Sequence, residues 1–169
     1  MNRERIASMH EPERFKSPEY LAVLDETPSL ETCHFSASAM NTMYEAAARG
    51  YPLEVCGLLI GTIHHGWQVN EVRQIENLNK ERAADRFQLD PAGYQSVDRE
   101  LRGTNLEIIG VFHSHPDCPA KPSPTDLESA WEGFAYPIIS VTKDGACSAL
   151  CWTLNEDGSK FQSLSVKQP

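Results

Sequence analysis

Residues 108–112, Ile-Ile-Gly-Val-Phe, form a continuous apolar run, and the next four residues are His113, Ser114, His115 and Pro116. A short apolar run of this kind reads as a buried strand. Alternate residues of a strand share a face, so His113 and His115 converge on one side while Ser114 points to the other. The chain must therefore fold so that a buried strand delivers two imidazoles to one place. A carboxylate on the next element, Asp126, completes a set of three nitrogen and oxygen ligands for one metal ion. Three such ligands leave the fourth position of a tetrahedral zinc open to water, which is the arrangement of hydrolytic zinc.

The other segments read as alternating strands and helices. Thr32 to Phe35 is a short strand, followed by a helix capped by Ser36 or Ser38 that carries Met40, Met43, Tyr44 and Ala47 on one face and stops at Gly50. Residues 55–60 are an apolar run of strand length, His64, His65 and Gly66 a turn, and Trp67 to Ile75 the returning strand. Asp90 and Pro91 open a helix with Tyr94, Val97 and Leu101 on one face, closed by Gly103. Residues 106–113 form the strand that delivers the histidines. Ser123 and Pro124 open a short helix with Leu127, Ala130 and Trp131 facing inward, and residues 136–141, 146–154 and 161–166 are closing strands joined by Gly-containing turns. The expected fold is α/β (α+β), a single domain over residues 31–169 with a mixed sheet flanked by helices. Residues 1–30 are polar, charged and proline-punctuated, an extension expected to be mobile unless docked.

The 169 residues are enough for one core. No apolar run approaches the length of a membrane span, and residues 1–5 lack the apolar centre of a signal peptide, so a cytoplasmic location is expected. The net charge of -9, with no dense basic block, disfavours nucleic acid and anionic membrane as partners. Self-association as a homo-oligomer is left open. Five cysteines without a C-x-x-C pair read as reduced thiols rather than a disulfide framework or a four-cysteine zinc site. The H-x-E and P-C-x-x-C pattern of zinc deaminases is not matched either, because the strand carries His-Ser-His and Cys118 has no second cysteine at the C-x-x-C spacing.

Taken locally, each piece has a plainer reading. A histidine pair can be two polar residues at a strand end. Ser123, Pro124 and Asp126 have the spacing of a capping box. Glu54 heads a buried run, where a carboxylate needs a partner or a task, or else caps the strand from outside the core. Cys118 is either a thiol tucked against apolar surface or a group near enough to approach a metal or sense oxidants. His64 and His65 read as solvated turn residues.

The pattern Glu54, then His113-Ser114-His115-Pro116, six residues, Ser123, two residues, Asp126 resembles the JAMM motif of the MPN (Mov34/PAD-1) metallopeptidase family, with every position matched. Residues 54–61, Glu-Val-Cys-Gly-Leu-Leu-Ile-Gly, also look like that family's first core strand, and the order of elements from about 31 to 166 fits. The resemblance implies that His113, His115 and Asp126 bind one Zn2+, that Glu54 is the general base, and that Ser123 donates to the oxyanion. It also implies cleavage after the Gly-Gly tail of a ubiquitin-like protein. The short connection after Asp126 is similar to that of the compact prokaryotic Mec/QbsD-like branch, which implies a sulfur-carrier partner of the ThiS/MoaD kind and release of an amino acid or short peptide. An isopeptidase that removes a ubiquitin-like modifier from lysines in a bacterial conjugation or antiphage system is the alternative. A non-catalytic MPN scaffold is more remote, since such scaffolds lack motif residues that this chain retains.

Overall fold

The computed structural model describes residues 11–145 and 147–169. A 3-10 turn at Glu13–Lys16 leads into α1 (Pro18–Leu21), β1 (Thr32–Phe35), α2 (Ala37–Gly50), β2 (Cys56–Ile63) and β3 (Trp67–Ile75). These are followed by α3 (Pro91–Leu101), β4 (Glu107–Pro116), α4 (Pro124–Ser129), β5 (Tyr136–Val141), β6 (Cys147–Leu154) and β7 (Phe161–Lys167). The fold is mixed α+β, as expected. The sheet runs β1-β3-β2-β4-β5-β6-β7 and closes on itself, because β1 pairs in parallel with both β3 and β7. That closure was not expected from the sequence: it depends on four-residue β1 bonding to two strands distant in the chain. Ala146, where the sixth strand was expected to begin, lies outside the described residues, as do residues 1–10 of the extension.

Both faces of the central strands are covered, which is why β2 reads as an unbroken apolar run rather than an alternating one. One face holds Leu59, Ile109, Phe112, Ile139 and Val141 against Met40, Met43, Ala46 and Ala47 of α2. The other holds Leu58, Ile60, Val111, Ile138 and Phe161 together with Val97 of α3. Ser36 caps α2 by accepting from the Ala39 N–H, and Asp90 caps α3 by accepting from the Ala92 N–H.

A bulge sets which face the histidines occupy. Leu59 pairs with Gly110 and Ile60 with Ile108, so Ile109 is an extra residue on β4. Beyond it Val111, His113 and His115 share the α3 side, and Ser114 faces the other way. Gly110 is required there. A Cβ at this position would run into the Ala135 carbonyl, which accepts from the Val111 N–H while the Ala135 N–H donates to Ile109.

Two expectations are adjusted. The strand that delivers the histidines continues to Pro116, so both imidazoles stand within it. Helix α4 ends at Ser129, so Trp131 no longer follows the helical period. It is 53% exposed rather than inward-facing, with its ring edge-on to Tyr94 at 5.7 Å.

Residues 11–30 are docked on the body. Phe15 and Val23 are buried. The Asp25 N–H donates to the Phe161 carbonyl at 2.8 Å, the Phe161 N–H to Val23 at 2.8 Å, and the Ser29 N–H to Ser163 at 2.9 Å. Among the described residues no helix is long and apolar enough to cross a membrane.

Candidate active site

The five motif residues converge on one cleft of about 430 Å³. β4 contributes His113 and His115, the start of α4 contributes Ser123 and Asp126, and the residue before β2 contributes Glu54. The His113 and His115 Nε2 atoms lie 3.0 Å apart, and Asp126 Oδ2 lies 3.4 Å from the first and 3.9 Å from the second. Glu54 Oε1 is 3.9 Å from His115 Nε2. All of these side chains are largely withdrawn from solvent.

Each is held by identifiable bonds. His115 Nδ1 donates to the Pro119 carbonyl at 2.8 Å, so its Nε2 presents a lone pair toward the cleft. The turn that carries Pro119 is itself pinned. Ser140 Oγ donates to the Cys118 carbonyl at 2.6 Å, Trp152 Nε1 to the Ala120 carbonyl at 2.9 Å, and Tyr51 Oη to Asp117 Oδ2 at 2.6 Å. Asp126 Oδ2 accepts the Ser123 N–H at 2.8 Å while Ser123 Oγ accepts the Asp126 N–H at 3.1 Å. The capping box and the site are thus the same structure. Since Ser123 Oγ accepts in the cap, its own proton is left for another acceptor. Ser114 faces away, as expected, and clamps Glu54's neighbour: its Oγ accepts the Val55 N–H at 2.9 Å and its N–H donates to the Val55 carbonyl at 3.0 Å.

Two contributors were missed by sequence reasoning. Asn77 Nδ2 donates to the Glu54 and Arg86 carbonyls, both at 3.1 Å, and its Oδ1 accepts the Gln88 N–H at 3.0 Å. Asn77 therefore ties Glu54 to the segment carrying Phe87, whose ring stacks on His113 at 4.5 Å. An asparagine after a strand normally signals only a turn, so no local pattern marks it.

Burial pushes the Glu54 carboxyl up to about 7; His113 opposes the rise and Asp126 adds to it. Burial also lowers His115, with the neighbouring His113, to about 4, which keeps it neutral. At His113 burial acts downward, but the charge and hydrogen bond of Asp126 outweigh it and raise the imidazole. Burial would raise Asp126, yet the charges and hydrogen bonds of His113, His115 and the Ser123 N–H hold it well below the usual carboxylate range. One neutral imidazole, a second imidazole paired to an anionic carboxylate, and a separate buried carboxyl describe a site with divided roles.

The donor set fits a small dication. Two imidazole nitrogens and a carboxylate oxygen suit zinc. Their separations of 3.0, 3.4 and 3.9 Å bracket the edge of roughly 3.3 Å that a tetrahedron with Zn–N bonds of about 2.0–2.1 Å requires. The two Nε2 atoms stand at hydrogen-bond distance, so holding one ion through both requires the proton between them to leave. Among the described residues, the ligand atoms of these three side chains all lie within 4.8 Å of one another, close enough to share one ion.

The mixed sheet with its flanking helices is the fold of a JAB1/MPN domain. A JAB1/MPN domain protein from Archaeoglobus fulgidus superposes with a TM-score of 0.51 over 82% of this chain and all of that one, at 20% identity, a likeness of fold alone. The family described as prokaryotic homologs of the JAB domain matches residues 36–155. A desampylase from Haloferax volcanii is 35% identical over 131 residues, 76% of this chain and 88% of that protein. A CysO-cysteine peptidase from Mycobacterium tuberculosis is 32% identical over 108 residues, 64% and 72% of the two chains. The chain belongs to the prokaryotic JAB-domain family, and it is a JAMM-type hydrolase.

Proposed function

We propose that the protein is a cytoplasmic zinc peptidase that cleaves the amide bond after the C-terminal Gly-Gly of a ubiquitin-like sulfur-carrier protein, releasing an amino acid or short peptide. The observation that carries this reading is the placement of Glu54 Oε1 3.9 Å from His115 Nε2, a free buried carboxyl beside a complete three-ligand set. In this reading His113, His115 and Asp126 hold the ion. When bound, zinc acidifies a water and polarises the scissile carbonyl. Glu54 takes the proton of the attacking water and delivers it to the leaving amine. A carboxyl poised near neutrality suits both transfers, and a dication beside it draws its pKa down toward the base form. Ser123 donates its free hydroxyl proton to the developing oxyanion. The cleft is lined largely by apolar side chains, among them Phe87, Leu89, Tyr94 and Ile138. It suits an extended tail.

Support for the substrate comes from the names of the relatives, a desampylase and a peptidase of CysO-cysteine. Residues 130–135, which join α4 to β5, leave no room for an inserted segment that would hold a second folded domain. The test is cleavage of a ThiS- or MoaD-type carrier extended past Gly-Gly by wild type and Glu54→Ala. The variant should keep the metal and lose turnover by about 10²–10⁴-fold. Undiminished turnover contradicts the role of Glu54. An isopeptide-linked substrate cleaved in preference to the linear one favours the isopeptidase alternative.

A further inference from the structure

The docked segment at residues 13–20 lies outside the span matched by the family, yet it forms one wall of the cleft: Arg14, Phe15 and Tyr20 line it. Phe15 is buried, with its ring 6.2 Å from that of His115 and 5.0 Å from that of Tyr20. This packing places the neighbouring Arg14, whose side chain is exposed, at the edge of the cleft beside the turn that follows His115.

Arg14 stands out when the charges of the cleft are matched. Asp126 is paired with the histidines. Asp85 is paired with Arg82 at two bonds, and Arg86 donates to the Asp85 carbonyl at 2.9 Å and lies 3.9 Å from its carboxylate. Arg14 has no carboxylate within ion-pair distance among the described residues. Its Nη2 donates to Cys118 Sγ at 3.2 Å, and its guanidinium lies 5.2 Å from the Phe15 ring centre. A thiol is a weak acceptor for a group with five donors in a fixed fork that matches a carboxylate. The cleft also carries Glu54, Asp85 and Asp126, so an anionic substrate group entering it needs a cation.

We propose that Arg14 binds the free α-carboxylate of the leaving group, so that the N-terminal segment selects a terminal amino acid over a lysine side chain of a folded protein. This rests on the function proposed above and decides what stands on the leaving side of the scissile bond. A carboxylate displaces the thiol as the acceptor of the Arg14 fork. A lysine isopeptide has no carboxylate on the carbon attached to the reacting nitrogen, and it brings a protein surface against the wall formed by residues 13–20.

The experiment uses the full chain and a ThiS-type carrier protein extended after Gly-Gly by one alanine, ending either in the free carboxylate or in the carboxamide. Wild type should favour the carboxylate by about tenfold or more in kcat/KM, the scale of one charge-assisted hydrogen bond. In Arg14→Gln the ratio should fall to within about twofold, and Arg14→Lys should restore part of it. Lys16→Gln removes a cation from the same turn outside the cleft and should keep the wild-type ratio. Because the readout is a ratio on one protein, a general loss of folding does not mimic it. Equal cleavage of the two substrates by wild type, or an unchanged ratio in Arg14→Gln, overturns the inference and leaves the proposed function standing. Cleavage of neither overturns the proposed function and this inference with it.

Discussion

Glu54 carries a penalty for ionisation that makes the metal-free protein sensitive to pH. Its folded pKa of about 7 lies above the ordinary 4.5, so the folded state holds a proton that the unfolded state releases. Stability from this group is fully present below about pH 4.5 and is lost as pH rises through about 7, an amount of about 3 kcal/mol. Urea melts of the metal-free protein should show wild type losing that much relative to Glu54→Gln between pH 4.5 and 8. Parallel pH profiles contradict the burial argument. The sequence showed that a carboxylate heads an apolar run, but whether it turned inward was open. The answer depends on Asn77 and on the Ala83 carbonyl that accepts the Glu54 N–H, contacts formed by a segment 23 to 29 residues downstream.

Among the elements, β4 and α4 divide the work, and each has a bond whose loss should separate stability from chemistry. Ser114→Ala removes the acceptor of a buried N–H next to Glu54 and should cost about 1–3 kcal/mol. It should also lower turnover without changing metal content, because it touches the proposed general base and not the proposed ligands. Ser123→Ala removes the α4 cap, worth about 0.5–2 kcal/mol, together with the hydroxyl proposed to donate to the oxyanion. Its turnover should fall by about 10²-fold, far more than the stability loss explains; a small change in kcat contradicts the oxyanion role. The capping box and the shared face of His113 and His115 were legible because both follow from local spacing. The bulge at Ile109 was not, since it comes from β2 and β4 pairing out of step and leaves no mark in either strand. Nor was the end of α4, which left Trp131 outside the helical period.

At the scale of the molecule, the closed sheet makes a rigid frame and the segment at residues 11–30 is the looser addition to it. The part next to the site is held by Phe15, the Arg14–Cys118 contact and the Lys121–Glu11 ion pair at 2.8 Å, the last worth little in solvent. Phe15→Ala should therefore raise amide exchange at residues 13–24 while β2, β4 and β5 stay protected. Equal loss of protection throughout contradicts the view of a separable wall. The alternation of strands and helices was readable from apolar periodicity, but closure was not, because it rests on pairings among strands distant in the chain. The docking of the polar extension was equally hidden, since it rests on two isolated apolar side chains, Phe15 and Val23, and on backbone bonds to Phe161 and Ser163. The whole account turns on the ligand set. The direct measurement is metal content of the purified protein by mass spectrometry, wild type beside His113→Ala. One zinc per wild-type chain and almost none in the variant is the predicted result. No metal on wild type, or equal metal on both, contradicts it.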